Sequence, residues 1–263
     1  MEDISKGLLS VIKRFFIALI STLGILTLFG IVLEKLEKII NASLYSNLGK
    51  NTVLFTAAIG TPLHEISHWI GCKIFGFQVN EVVLLRPKMY RLDGVLGYVS
   101  YSMNPNSMWQ RFGCFFVGIA PMIFGNLFIL LSVCLLKPEI FSQIKEKVNK
   151  VANGSKKKRF LLVCWASFLG FWKGLFSLKK LGWLRGLICL YIVMSISMHM
   201  TISSADIESA KLGVWIVLGI YGVFALVTAM IGNDYVIPGA KTAACLSGFL
   251  SIGLLADALL LAT

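Results

Sequence analysis

Five consecutive residues carry the chemistry that can be read from this chain: His64-Glu65-Ile66-Ser67-His68. Positions i and i+4 of a helix lie on one face about one turn apart, so two imidazoles at this spacing can reach one Zn²⁺ while Glu65 projects beside them. Zinc lowers the pKa of a bound water toward about 7, and a carboxylate placed next to it can take the proton and later deliver it to a leaving amine. The alternative is structural, with both histidines satisfied by neighbouring carbonyls and the glutamate facing a polar cavity. The setting favours chemistry. The chain has only 3 histidines, and two of them bracket a glutamate inside an apolar segment, where ionisable groups are expensive and by default functional.

The surrounding sequence indicates lipid as the solvent. Of 263 residues, 57% are hydrophobic and 14% charged, with a mean hydropathy of +0.79, against about 45–50% and 25% in soluble chains. Spanning helices need about 17–25 apolar residues, which predicts segments at 15–33, 52–75, 112–136, 160–178, 186–200, 212–231 and 244–262. The expected fold is an all-α polytopic membrane protein with six or seven transmembrane helices. The short segment 186–200 is also compatible with a tilted or re-entrant helix. Residues 77–107 differ in character: Val79, Val82, Val83 and Gly97-Tyr98-Val99-Ser100-Tyr101, punctuated by Arg86-Pro87 and Asn104-Pro105, predict a small membrane-associated β-hairpin region.

The net charge of +12 does not indicate nucleic acid, because the densest basic run, Lys156-Lys157-Lys158-Arg159, has no interleaved aromatics and sits between apolar segments where it meets headgroups or fixes topology. The basic loop 137–159 holds eight Lys/Arg; that places it in the cytoplasm, yet Arg86, Lys88 and Arg91 make the opposite face basic too, so the loops conflict over orientation. The six cysteines stand singly, form no CxxC pair, and read as small core residues.

In this order of features the chain resembles the site-2 protease family of intramembrane zinc metalloproteases. There an HExxH helix is followed by a β-rich stretch with a Gly-Tyr-Val element, matched here by Gly97-Tyr98-Val99. The family's next helix opens with a basic residue and carries Gly-Pro-x-x-Asn; here Arg111 leads into Gly118-Ile119-Ala120-Pro121 and Asn126, with the Gly-Pro pair interrupted and Asn126 five positions after Pro121 instead of three. The resemblance covers about 50–136 and, more loosely, 186–212. It implies a third ligand, an aspartate in a Leu-Asp-Gly context on a later helix. Leu92-Asp93-Gly94 has that sequence but precedes the Pro121 helix, and is read as a turn.

Asp206, in Ser203-Ser204-Ala205-Asp206, follows an apolar segment in the right order and is the candidate third ligand. The competing reading makes it a first-turn carboxylate behind a serine N-cap; one helix end can serve both. His199 either replaces it or, like Asn126, contacts substrate. Asp234 reads as a turn residue, and Asp257 has no evident partner.

The expected function is intramembrane zinc metalloendopeptidase, cleaving peptide bonds of membrane-embedded or membrane-adjacent substrates by Glu65-assisted attack of zinc-bound water, with Zn²⁺ held by His64, His68 and Asp206. Two alternatives stand beside it: a non-catalytic membrane scaffold or receptor retaining a structural metal, and a zinc hydrolase of a small lipid or peptide precursor. The expected organisation is an N-terminal helix and loop (1–50), a metalloprotease-like core (51–231) and a C-terminal helix (232–263), in a multi-pass protein of the cell (plasma) membrane. The expected partners are a membrane-protein or peptide substrate and the bilayer, with no nucleic acid; oligomeric state is unassigned.

Overall fold

The computed structural model describes residues 2–140 apart from 49, and 182–231, with isolated positions 142, 146 and 169. These residues form eight α-helices and two strands: α1 (Glu2–Leu19), a π-helical turn (Ile20–Gly24), α2 (Ile25–Leu48), α3 (Lys50–Phe75), β1 (Gln78–Val83), α4 (Pro87–Asp93), β2 (Tyr98–Ser102), α5 (Met108–Gly118), α6 (Ala120–Leu136), α7 (Gly182–Ser197) and α8 (Ser204–Ile231). Helix α3 is central, touching α2, α5, α6, α7 and both strands, while α8 lies along α5 and α1.

Two apolar clusters bracket the middle of α3. One joins α6 to α7 through Ile129, Val133, Cys189, Val193 and Ile196, and reaches Met200 in the loop beyond α7. The other joins the end of α3 to α5 through Cys72, Phe75, Cys114 and Val117, with Tyr101 of β2 packed against it. Cys72, Cys114 and Cys189 are free and buried, as small core residues should be, whereas Cys134 is free and exposed, against that expectation. Cys164 and Cys245 lie outside the described residues.

The strands of the expected hairpin region form an antiparallel pair, Gln78↔Ser102 through Val83↔Tyr98, with the register shifted between Val79 and Glu81. Their connection contains α4, a helix that the β-branched and Pro/Gly pattern did not predict. Pro87 opens it, where a missing N–H is harmless. Gly94 at φ 75° closes it, its N–H bonding Tyr90 O, because only glycine takes the left-handed conformation without penalty.

The expected count of spans needs correction. Among the described residues one helix, Ser204–Ile231, is long and apolar enough to cross a membrane; α5 and α6 make a second if their pair, bent by 55°, is one span. The run 15–33 is divided by the π-helical turn, α7 has 16 residues, and the imidazoles and carboxylate of the HExxH motif lower the hydropathy of α3. Segments 160–178 and 244–262, most of the basic loop 137–159, Asp234, Asp257 and the expected C-terminal helix lie outside the described residues.

Candidate metal centre

The two motif histidines meet Asp206 across the bundle. His68 Nε2 lies 3.1 Å from His64 Nε2 and 3.1 Å from Asp206 Oδ1, and His64 Nε2 lies 3.9 Å from Asp206 Oδ2. One ligand atom from each of the three residues falls within 4.8 Å of the others. Tetrahedral bonds of about 2.0–2.1 Å place ligand atoms roughly 3.3 Å apart, so the observed separations bracket what a zinc-sized ion requires.

The other ring nitrogens are tied to backbone carbonyls from two different elements. His68 Nδ1 donates to Val117 O at 2.9 Å and His64 Nδ1 donates to His199 O at 2.5 Å. A carbonyl can only accept, so each ring holds a proton on Nδ1, and a ring that is neutral presents its Nε2 lone pair toward Asp206. This is the tautomer a metal-binding pair needs.

Local sequence explains why those carbonyls are available. In a continuous helix Val117 O would accept from the N–H of residue 121. That residue is Pro121, which has no N–H, so the helix breaks between α5 and α6, and the Val117 carbonyl, approached also by the Ile119 N–H, is free to accept from His68. His199 lies just past the end of α7, where carbonyls lack partners within the helix. The chain approaches α3 closely there, for a Cβ on Gly60 would stand 2.1 Å from Ser195 O and 2.6 Å from His199 Nδ1. A glycine on α5 serves the other side: a Cβ on Gly118 would stand 2.5 Å from Asp206 O.

Asp206 caps α8 and also faces the two imidazoles. Its Oδ2 accepts from Ser203 N at 2.8 Å and its N–H donates to Ser203 Oγ at 3.2 Å, a reciprocal cap at the start of α8, while Oδ1 faces His68. Tyr101 OH donates to Ser209 Oγ at 3.0 Å, tying β2 to the same turn of α8. Burial is the leading cause that holds the Tyr101 phenol above its ordinary pKa, keeping it protonated as the donor.

Glu65 is buried beside the pair, at 7% exposure. It lines a cavity of about 180 Å³ together with His64, Thr61, Gly97, His199 and Glu37. The start of β2 lies against it, since a Cβ on Gly97 would fall 3.0 Å from Glu65 Cγ.

Of the remaining sequence candidates, His199 adjoins the cluster and its cavity, whereas Asn126 and Asp93 are not among the residues that line it. The His199 ring is buried, with Nδ1 3.0 Å from Ser195 O, and its backbone carbonyl is what supports the centre. Asn126 donates to Met122 O within α6 at 2.5 Å and is not among the residues lining the cavity. Asp93 is the exposed last residue of α4, accepting from Val95 N at 2.9 Å and from Arg86 Nη2 at 2.7 Å. Sequence reasoning did not single out Glu37, Thr61 or the two carbonyls. Pro121 four residues after Val117 was the one available signal.

No family model, curated protein or solved structure matches the chain. Functional inference therefore rests on the geometry and on the resemblance carried by the motifs.

Proposed function

We propose that the chain is a divergent site-2 protease-like zinc metallopeptidase that acts on membrane-embedded or membrane-adjacent peptide substrates. One observation carries the reading: two imidazoles with bare Nε2 atoms and one carboxylate converge from α3 and α8, with a buried glutamate next to them. The N₂O donor set suits zinc, a borderline ion that accepts imidazole and carboxylate. When bound, such an ion supplies Lewis-acid polarisation of water and of a scissile carbonyl.

Within that scheme the chain's own groups divide the work. His64, His68 and Asp206 hold the ion, fixed by the His199 and Val117 carbonyls and by Ser203. Glu65 accepts a proton from the attacking water and returns it to the departing amine. The β2 segment from Gly97, adjacent to Glu65, offers an extended template on which an unwound substrate can lie with its carbonyl exposed.

The membrane setting is part of the proposal. Helix α8 is long and apolar enough to cross a membrane, and its large apolar side chains face outward, with Trp215 80% and Met230 86% exposed. Together with the apolar segments 160–178 and 244–262, this supports a membrane protein with more than one span. A second cavity, of about 480 Å³, is lined by Leu23, Ile31, Phe115, Met122, Ile202 and Ile207. It lies beside the Asp206 turn and suits an apolar side of the substrate.

Glu65→Gln tests the reading, since it keeps shape and removes the proton acceptor. The variant should retain about one zinc per chain and lose turnover of reconstituted single-span peptides. Parental turnover in the variant refutes the proposal, and a zinc-loaded parent that cleaves nothing favours the non-catalytic scaffold.

A further inference from the structure

Strand β2 touches both halves of the metal centre. At its entry Gly97 lies against the base, where an added Cβ would fall 3.0 Å from Glu65 Cγ. Four residues on, about 13 Å along an extended chain, Tyr101 reaches the helix that carries the third ligand, and its OH donates to Ser209 Oγ at 3.0 Å. Residues 97, 99 and 101 share one face of the strand, so both contacts point into the bundle, whereas Ser100 and Ser102 are exposed on the other face. The Tyr101 ring is packed against the apolar cluster of α3 and α5, with Phe77 edge-on at 5.3 Å between ring centroids, so the hydroxyl stands at the end of a held arm. Ser209 follows Asp206 by three positions and lies on the same side of α8, while Asp206 Oδ1 stands 3.1 Å from His68 Nε2. Ser203 caps that turn from within its own segment; the bond from Tyr101 adds a tie to the strand on which substrate would lie.

We propose that Tyr101 is a positioning residue that couples substrate docking to the metal: through Ser209 it ties the turn of Asp206 to β2, so that a substrate strand paired with β2 and a zinc ion held by Asp206 stabilise one another. The physical reason is shared ordering. A two-stranded hairpin is marginally stable by itself, and β2 has β1 on one edge and no strand on the other among the described residues. A third strand added there fixes β2, and the phenol then restricts where Ser209, and Asp206 with it, can move. An ion that fixes Asp206 restricts β2 through the same bond, so whichever binds second has less ordering left to do, and the two enhancements must be equal. The inference rests on the hydrolase reading and deepens it: the metal-loaded protein holds substrate more tightly, and the occupied site holds its metal more tightly than the open one.

The test uses the full chain in detergent, carrying Glu65→Gln to prevent turnover, and a fluorescent single-span peptide, the tightest binder of a panel. Zinc affinity is measured by chelator competition with and without saturating peptide, and peptide affinity by fluorescence anisotropy with and without zinc. In this background each should raise the other's affinity by one common factor. Tyr101→Phe, which removes only the hydroxyl, should reduce that factor about 2–10-fold, the net worth of a neutral hydrogen bond. Ser209→Ala should reduce it equally and the double variant no further, because both delete the same bond. Ser209→Thr keeps a hydroxyl and should keep the factor. Tyr98→Phe, which removes the phenolic OH that meets Glu81 on the exposed surface, should leave it unchanged. A variant that only loosens the fold lowers both affinities and leaves their coupling as it was. Parental coupling in Tyr101→Phe and Ser209→Ala, reductions that add in the double variant, or a parent in which no peptide alters zinc affinity overturns the assignment. Cleavage of the same peptide by the Glu65 protein separates the two claims: Tyr101-dependent coupling without cleavage sinks the hydrolase reading alone, and Glu65-dependent cleavage with coupling indifferent to Tyr101 sinks the positioning role alone.

Discussion

Replacing Gly60 by alanine perturbs the metal centre without touching a ligand. The added Cβ would stand 2.1 Å from Ser195 O, 0.9 Å inside the 3.0 Å that real Cβ atoms essentially never cross, and 2.6 Å from the His199 ring. The first obstacle is backbone, so the end of α7 must retreat from α3 by about that amount. The His64 Nδ1–His199 O bond, 2.5 Å long, spans the same gap and would stretch to about 3.4 Å, past the 2.7–3.2 Å of an ordinary N–H···O bond. Losing a bond that orients a metal-ligating histidine costs about 10–100-fold in metal affinity, or roughly 1.4–2.8 kcal/mol; overpacking adds about 1–3 kcal/mol of lost fold stability. The assay is zinc competition against a calibrated chelator at fixed pH, with thermal unfolding of the metal-free proteins measured alongside. Gly219→Ala is the control, because a Cβ there meets nothing within 4 Å and alanine is the better helix former by about 0.8–1.0 kcal/mol. A Gly60→Ala protein that folds and binds zinc with parental affinity would refute the claim that the His199 carbonyl supports His64.

Other substitutions separate the parts of the site. Pro121→Ala restores an N–H that can engage Val117 O in competition with His68, and zinc affinity should fall about 10–100-fold; unchanged affinity by chelator competition counts against the broken-helix explanation. Gly97→Ala would press a Cβ to 3.0 Å from Glu65 Cγ and to 2.8 Å from Leu84 O, so kcat should drop while zinc content stays parental, and loss of zinc with it would place the effect on the fold instead. Asp206→Ala should release zinc, whereas Ser203→Ala, which deletes only the hydroxyl half of the cap, should cost about 0.5–2 kcal/mol in unfolding experiments and keep the metal. Equal zinc retention by the two variants would make Asp206 a cap and nothing more.

The features legible in the sequence are those set by local spacing. His64 and His68 share a helix face because i and i+4 always do. Val79 to Val83 and Tyr98 to Tyr101 form strands because β-branched and aromatic residues alternate between turn residues. Asp206 stood out because few carboxylates follow an apolar segment at that point in the chain; the cap engages its Oδ2 and N–H, and Oδ1 is left facing His68. Helix α4 was missed: seven residues after Arg86 carry no period long enough to detect, and the stop at Gly94 also reads as a turn. The span count failed where polar chemistry and helix irregularity intrude, in α3 through its own motif and in 15–33 through the π-helical turn. Glu37 was invisible because its position at the site depends on how α2 packs against α3, which no local pattern encodes. The carbonyls of Val117 and His199 were hidden for a similar reason, although Pro121 marked one of them.

Zinc-edge X-ray absorption of the detergent-purified parent chain tests the metal centre most directly. The account predicts about one zinc per chain with two imidazole nitrogens and a carboxylate oxygen at about 2.0–2.2 Å, and a spectrum that disappears in the His64→Ala, His68→Ala double variant. Sulfur ligation at about 2.3 Å, or a full zinc complement in the double variant, would contradict it.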